Sequence, residues 1–262
     1  MSVQLLISAL KKDPAALLEK MHIASDAVLV NQCDKSGEEE TIFGGHTVRI
    51  ISMTERGIGL SRNTALENAT GDILLFADDD IVYDAGYEKA LENAFRENPG
   101  ADILLFNVRV CDERKTYWNE GVKKVSKINC GRYPAYSIAA KRDALKKADV
   151  KFSLLFGGGA KYSNGEDSLF LTDCIRKGLK VYTTPVVLGE EISEGSTWFH
   201  GFTEKFFFDR GVLFAFLYPH SAALWAFRFV YLKGDIKSDE IGKKNAWKQI
   251  RDGIREGKRL HK

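Results

Sequence analysis

The sequence predicts an α/β protein on an open, doubly wound sheet, and three observations carry that prediction. Apolar runs of strand length at residues 3–10, 26–30, 48–53, 73–77 and 101–110 alternate with helix-compatible segments at 11–21, 61–69 and 84–98. The run at 73–77 ends abruptly in three acids, Asp78, Asp79 and Asp80. A second acidic pair, Glu166 and Asp167, stands where a loop becomes a helix. Strands of open α/β sheets deliver chemistry at their C-terminal ends, where side chains face the crevice outside the sheet.

The elements follow in order. The strand at 3–10 precedes a helix whose start is marked by Asp13 before Pro14, an N-cap and N1 pair. The run at 26–30 closes on Asn31, Gln32, Cys33 and Asp34, and a polar, glycine-containing stretch at 35–45 reads as a loop. The strand at 48–53 leads through Gly57 and Gly59 into the helix at 61–69, and Gly71 turns the chain into the acid-tipped strand. Residues 84–98 have helical spacing closed by Pro99-Gly100, residues 111–134 read as a polar excursion from the core, and 135–140 and 141–148 as strand and helix.

Composition narrows the class. A chain of 262 residues with 44% hydrophobic content buries one substantial core with a smaller appended unit. A net charge of +2 gives no reason to expect a nucleic-acid partner. The charge is uneven, however: residues 233–262 hold ten Lys/Arg against five Asp/Glu, leaving the body before them at −3. Four cysteines without a CxxC pair read as reduced thiols of a cytoplasmic protein, and the N-terminus reads directly into a strand without a signal peptide.

Each acidic motif has two readings. The triple Asp is a solvated turn capping the next helix, or a hard-cation site that keeps positions open for substrate phosphates. Glu166 and Asp167 complement the positive end of a helix dipole, or supply a general base. The Gly57-Ile58-Gly59 pair is not a dinucleotide fingerprint, since Arg62 stands where the third glycine belongs.

Four ordered pieces together resemble family-2 glycosyltransferases over about residues 3–190. They are the first strand; ERGIGLSRNTALENATGD, similar to the family's Asn-x-Gly…Ala-Arg-Asn…Gly-Asp segment; FADDDI, similar to its Asp-x-Asp motif; and NGEDSLFLTDCIRKGLKVYTTP, similar to its Glu-Asp helix and the strand that follows. The resemblance implies a GT-A fold (Rossmann-like, a doubly wound mixed sheet) over residues 1–190 and a C-terminal helical extension over 191–262 on the acceptor side. It implies an inverting transfer of a sugar from a nucleotide-sugar donor, UDP-linked by expectation, to a saccharide or polyprenyl-linked acceptor in surface polysaccharide assembly. A divalent metal, Mn²⁺ or Mg²⁺, would assist. Asp167 would be the base and Glu166 would orient the acceptor. Asp78 would lie against the ribose and metal region, Asp80 would ligate the metal, and Asp79 would belong with the donor-binding residues. Arg62 would reach the base or phosphates, and Ser8 falls at a donor-contact position. Asn31 and Gln32 stand where the family usually has an aspartate pair, one member of which reads the nucleobase, and Ala9 replaces its aromatic. Gly157 to Gly159 would hinge a closing loop.

Two features sit outside that pattern. His200, in Trp198-Phe199-His200, is either a packing residue or a histidine completing the metal site. The apolar run 212–232 is long enough to span a bilayer, but Pro219, His220 and Arg228 in its middle predict two shorter helices. After it, Trp247, Ile250 and Ile254 share one helical side among basic residues, which predicts either a helix packed on the core or peripheral contact with an anionic membrane at the inner face of the cell membrane. Two alternatives stay open: a sugar nucleotidyltransferase, although Ser8 to Asp13 lacks the glycine-rich triphosphate loop, and a non-catalytic nucleotide- or carbohydrate-binding relative.

Overall fold

The structure is a computed structural model describing residues 1–192, 201–232 and 241–260. The strands are β1 (Val3–Leu10), β2 (Asp26–Gln32), β3 (Gly37–Phe43), β4 (His46–Met53), β5 (Ile73–Asp78), β6 (Ile81–Tyr83), β7 (Ile103–Arg109), β8 (Ile138–Lys141) and β9 (Val181–Glu191). Among the described residues they form one sheet in the order β3-β4-β2-β1-β5-β8-β7-β9-β6. β4, β2, β1 and β5 run parallel, while β8 is antiparallel to both β5 and β7. The sheet is therefore mixed, with its parallel half carrying the acid-tipped strand.

Helices α1 (Pro14–Lys20), α2 (Ile58–Glu67), α3 (Tyr87–Glu97), α4 (Arg142–Ala148) and α5 (Glu166–Arg176) accompany the sheet. Asp13 caps α1 as its sequence promised, accepting the Ala16 N–H at 2.9 Å ahead of Pro14. Because side chains alternate along a strand, the sheet buries both faces. Leu5, Ile7, Leu29 and Leu75 pack with Tyr87, Leu91 and Phe95 of α3 on one side. Leu6, Val28, Leu74 and Phe76 pack with Ala65 of α2 and Phe170 of α5 on the other.

Two expectations need correction. The stretch 35–45 is no loop: it contains β3, which turns back at Gly44 and Gly45 and pairs antiparallel with β4. The stretch 111–134 is irregular, as expected, but it is not an excursion. Tyr117, Val125, Cys130 and Tyr133 are buried in the second core. Asn107 of β7 exchanges hydrogen bonds with the Asn119 backbone at 2.9 Å in both directions, and the Asn119 side chain returns to Leu105 O. Buried amides bonded on both sides fasten the segment to the sheet.

Beyond β9 the chain is helical, with α6 (Glu204–Leu217), α7 (Ala222–Phe227) continuing into a π-helical turn (Arg228–Leu232), and α8 (Lys243–Leu260). The break expected at Pro219 is present, and among the described residues no helix is long and apolar enough to cross a membrane. Phe207 and Phe214 of α6, Ala226 and Val230, and Ile250 and Ile254 of α8 make a core of their own. A second small core, with Phe156, Tyr162 and Leu169 against Val212 and Leu213, seats α6 on the body near α5. His200 and Trp198 lie outside the described residues.

α6 and α8 meet backbone to backbone. A Cβ on Gly253 would overlap the Phe208 carbonyl oxygen, and one on Gly211 the Ile250 carbonyl oxygen. Gly253→Ala is therefore expected to cost about 1–3 kcal/mol by overpacking. In a chain of this size each kcal/mol lowers Tm by about 2–4 °C. An unchanged Tm would show that the two helices do not dock in this way.

Candidate functional site

The site begins with strand register. Ser8 pairs with Asp78, Ala9 with Asn31 and Leu10 with Gln32, so β1, β2 and β5 end on one rim. The Ser8 Oγ lies 2.9 Å from that of Ser61, which donates to it from α2. Asn31 clasps the backbone of Lys12, accepting its N–H at 3.2 Å and donating to its carbonyl at 2.7 Å. Gln32 Oε1 accepts the Gly57 N–H at 2.7 Å, just ahead of α2. Asp79 accepts the Leu10 N–H at 3.2 Å, with Lys12 Nζ at 3.8 Å. Asn31, Gln32 and Asp79 thus shape the loops that border the rim.

Arg62 organises the centre. It sits one turn into α2, only 4% exposed, with its guanidinium 5.3 Å from the Phe152 ring centroid. Nη2 donates to Asp78 Oδ1 at 2.9 Å, and Nη1 donates to Glu166 Oε1 at 3.0 Å and Asp167 Oδ1 at 2.7 Å. The end of β5 and the start of α5 are therefore bound to one cation. Asp167 remains 22% exposed and Asp78 30%, so both stay open to a ligand. The Glu166 carboxylate turns its other oxygen to the Gly165 N–H at 3.1 Å. Gly157, at φ +105°, makes the room for it, since a Cβ there would come within 2.8 Å of Glu166 Cδ.

Three carboxylates around one guanidinium leave an excess of negative charge. Burial opposes the charge on Arg62, yet Asp167, Asp78 and Glu166 outweigh it and raise its pKa. Asp167 is raised well above the ordinary carboxylate value by burial first and by Glu166 second, while Arg62 pulls it back. The nearby Ala135 backbone N–H favours the charged form of Asp167.

Asp80 lies two residues beyond Asp78, in the turn between β5 and β6. Its Oδ1 is buried without a hydrogen-bond partner among the described residues. Burial and the neighbouring charges of Asp78 and Asp79 raise its pKa. Glu191, at the end of β9, faces it; burial and the Asp80 charge push the Glu191 pKa up to about 7, against the pull of Arg114, whose Nη1 is 2.7 Å from Glu191 Oε1. Among the described residues no group of three or more His, Cys, Asp or Glu makes a ready cage for a metal. An unpaired buried carboxylate oxygen beside further acids still suits a hard cation that takes most of its ligands from phosphates and water. Glu191 and Arg114 escaped the sequence reading, because only the pairing of Ile81 with Glu191 brings β9 to the triple Asp.

Removing the central cation would leave Asp78, Glu166 and Asp167 facing one another, so Arg62→Met is expected to cost about 3–5 kcal/mol. A carboxyl whose folded pKa exceeds its unfolded one contributes stability that is complete below the unfolded pKa and lost as pH rises through the folded pKa. Asp167 is already of this kind, and without Arg62 its pKa rises further. The deficit of the variant should therefore shrink as pH falls into the carboxylate range, as read by denaturant titrations at several pH values. A pH-independent deficit would contradict the charge-compensating role.

Comparison with known proteins agrees with this architecture. Structures of S. aureus TarS share the fold. Residues 1–349 in complex with UDP-GlcNAc match at a TM-score of 0.63 and 16% identity, covering 97% of this chain and 81% of that one. A longer TarS structure matches at 0.59 and 15% identity, covering 91% of this chain and 45% of that one. The mannosyltransferase PcManGT from Pyrobaculum calidifontis, in complex with GDP-Man and Mn²⁺, matches at 0.50 and 17% identity, covering 97% and 74%. Among curated protein sequences none matches the chain. The family model described as glycosyl transferase family 2 matches residues 16–149, just over half of the chain, taking in Arg62 and the triple Asp and ending before Glu166. With its mixed GT-A sheet and C-terminal helices, the chain belongs to glycosyltransferase family 2.

Proposed function

We propose that this transferase moves a sugar from a nucleotide-sugar donor to a hydroxyl of a saccharide or lipid-linked saccharide, with inversion at the anomeric carbon and Asp167 as general base. The observation that carries the reading is the Arg62 bridge, which holds a partly exposed Asp167 beside Asp78 on the strand rim. A UDP-linked donor is the reading favoured by the TarS complexes, and surface polysaccharide assembly is the setting it suits. Four free cysteines fit a cytoplasmic location.

The donor already contains its leaving group, so the chain has to position, deprotonate and exclude water. Asp167 takes the proton of the acceptor hydroxyl, whose oxygen forms the new bond to the anomeric carbon. The bond to the diphosphate oxygen breaks on the opposite face, and the electron pair leaves with the nucleoside diphosphate. A raised pKa makes the Asp167 carboxylate a stronger base than an ordinary one, which suits it to accept a proton. Arg62 acts through the carboxylates it holds, as a positioning residue. The resemblance implied a nucleotide contact for it; in the structure its guanidinium meets three acids. Glu166, held from both sides, orients the acceptor.

Asp80, with Asp78 and Asp79 beside it, would hold Mn²⁺ or Mg²⁺; when bound, the ion neutralises the diphosphate and supports its departure. Ser8, Asn31 and Gln32 border the donor side. The loop at 157–159 borders the N-terminal end of α2, where Gly158 O accepts the Ile58 N–H at 2.9 Å, and motion there would close the site.

The test is release of nucleoside diphosphate from a panel of nucleotide sugars. Asp167→Asn is expected to lower turnover by roughly 10²–10⁴-fold while donor binding persists; near-normal turnover would remove Asp167 from the base role. Asp80→Ala should abolish the metal-dependent part of nucleotide binding in calorimetry. Binding that responds to Mn²⁺ as in the wild type would rule out Asp80 as a ligand.

A further inference from the structure

The C-terminal helices carry two surfaces that the catalytic reading leaves unused, and they adjoin. On α8 the residues fall into three stripes. Ala246, Ile250, Gly253, Ile254 and Gly257 are buried, and the close glycine contacts place that stripe against α6. Asn245 and Gln249 donate to Glu204 of α6 at 2.6 and 3.0 Å, and Glu256 meets Lys161 of the body at 3.5 Å. Lys244, Lys248, Arg251, Arg255 and Lys258 recur at three- and four-residue spacing on the remaining side, all exposed. Of these only Arg255 has an ion pair among the described residues, with Asp252 at 2.8 Å.

Trp247 borders the cationic stripe and joins it to the second surface. Its ring lies 6.1 Å from Phe227 and 6.0 Å from Tyr231, which pack on each other at 5.0 Å. Around them Leu224 is 69% exposed and Leu232 70%, and Phe227 and Tyr231 are themselves exposed. An apolar patch at the end of α7 thus lies beside a row of cations on α8, of which only Arg255 is paired among the described residues.

We propose that this composite surface docks on an anionic lipid bilayer. The apolar stripe of α8 cannot serve as the membrane anchor, because Ile250 and Ile254 are already buried. The inserting groups are Leu224, Phe227, Tyr231 and Leu232, and the α8 cations supply the attraction to lipid headgroups. A nucleic acid fits the surface less well. Two exposed leucines offer it nothing, and Phe227 and Tyr231 pack on each other at a tilt instead of standing apart to receive bases. The proposal is independent of the transfer chemistry.

Co-sedimentation of the full chain with vesicles tests it, using phosphatidylcholine alone and an equimolar mixture with phosphatidylglycerol. The chain is expected to sediment with the mixed vesicles only, and less as salt is added. The double variant Lys248→Gln/Arg251→Gln should bind about 25-fold more weakly, about fivefold per cation. Leu224→Gln/Leu232→Gln should lose at least about tenfold per leucine. All four side chains are exposed, so both variants should melt with the wild type. The proposal is overturned if the chain stays in the supernatant with mixed vesicles or binds neutral ones equally well. It is equally overturned if either double variant sediments like the wild type, or if single-stranded RNA is retained while vesicles are not.

Discussion

One guanidinium holds the candidate site together. Arg62 comes from α2, Asp78 from the end of β5, and Glu166 and Asp167 from the first turn of α5, so three elements distant in sequence converge on it. Only arginine can do this from one position: its planar fork presents several donors in fixed directions, whereas an ammonium is a single point charge. Its seat over Phe152, which stacks at 4.1 Å on Phe170 of α5, keeps the bridge away from solvent screening. Core packing and the ion cluster therefore fix the same helix, and the position of Asp167 is set by both.

The cluster is compensated only in part, and that imbalance has chemical consequences. A second acidic pair, Asp80 and Glu191, lies close by with Arg114 as its cation. A nucleotide diphosphate at this rim would bring its own negative charge to Asp78, Asp79 and Asp80. Like charges about 4 Å apart near a protein surface repel by several kcal/mol unless screened. A cation between rim and phosphate reverses the sign of that interaction, which is the electrostatic reason for placing a metal at Asp80. Burial first, and the neighbouring Glu166 and Asp78 charges after it, raise the pKa of Asp167.

Much of this was legible in the sequence because its signals are local. The apolar runs at 3–10 and 73–77, the Asp13-Pro14 cap, the triple Asp and the Asn-Gly-Glu-Asp helix start each announce themselves within a few residues. What escaped depends on distant partners. β3, with Glu38, Glu39 and Glu40, is exposed along nearly its whole length, so its strand pairing leaves no alternation of apolar and polar residues to read. The segment 111–134 looks polar because its asparagines and tyrosines bond to the sheet instead of to water. Nothing in the helix of Arg62 indicates that acids 16 and 105 residues away will bind it.

The tail follows the same logic in reverse. Its sequence shows an amphipathic helix with basic flanks, and pattern alone does not say what the apolar side meets. Glycines decide the matter. Gly211 on α6 with Gly253 and Gly257 on α8 allow contacts that any larger side chain would block, and such contacts form only where two helices are meant to lie together. The apolar stripe is thereby committed to the protein, while the cations beside it are not. A stripe of charge with few ion-pair partners among the described residues repels itself, and an anionic surface relieves that repulsion. The exposed leucines and aromatics of the neighbouring turn have no such excuse in water, and they lie where a bilayer meeting the charges would also meet them.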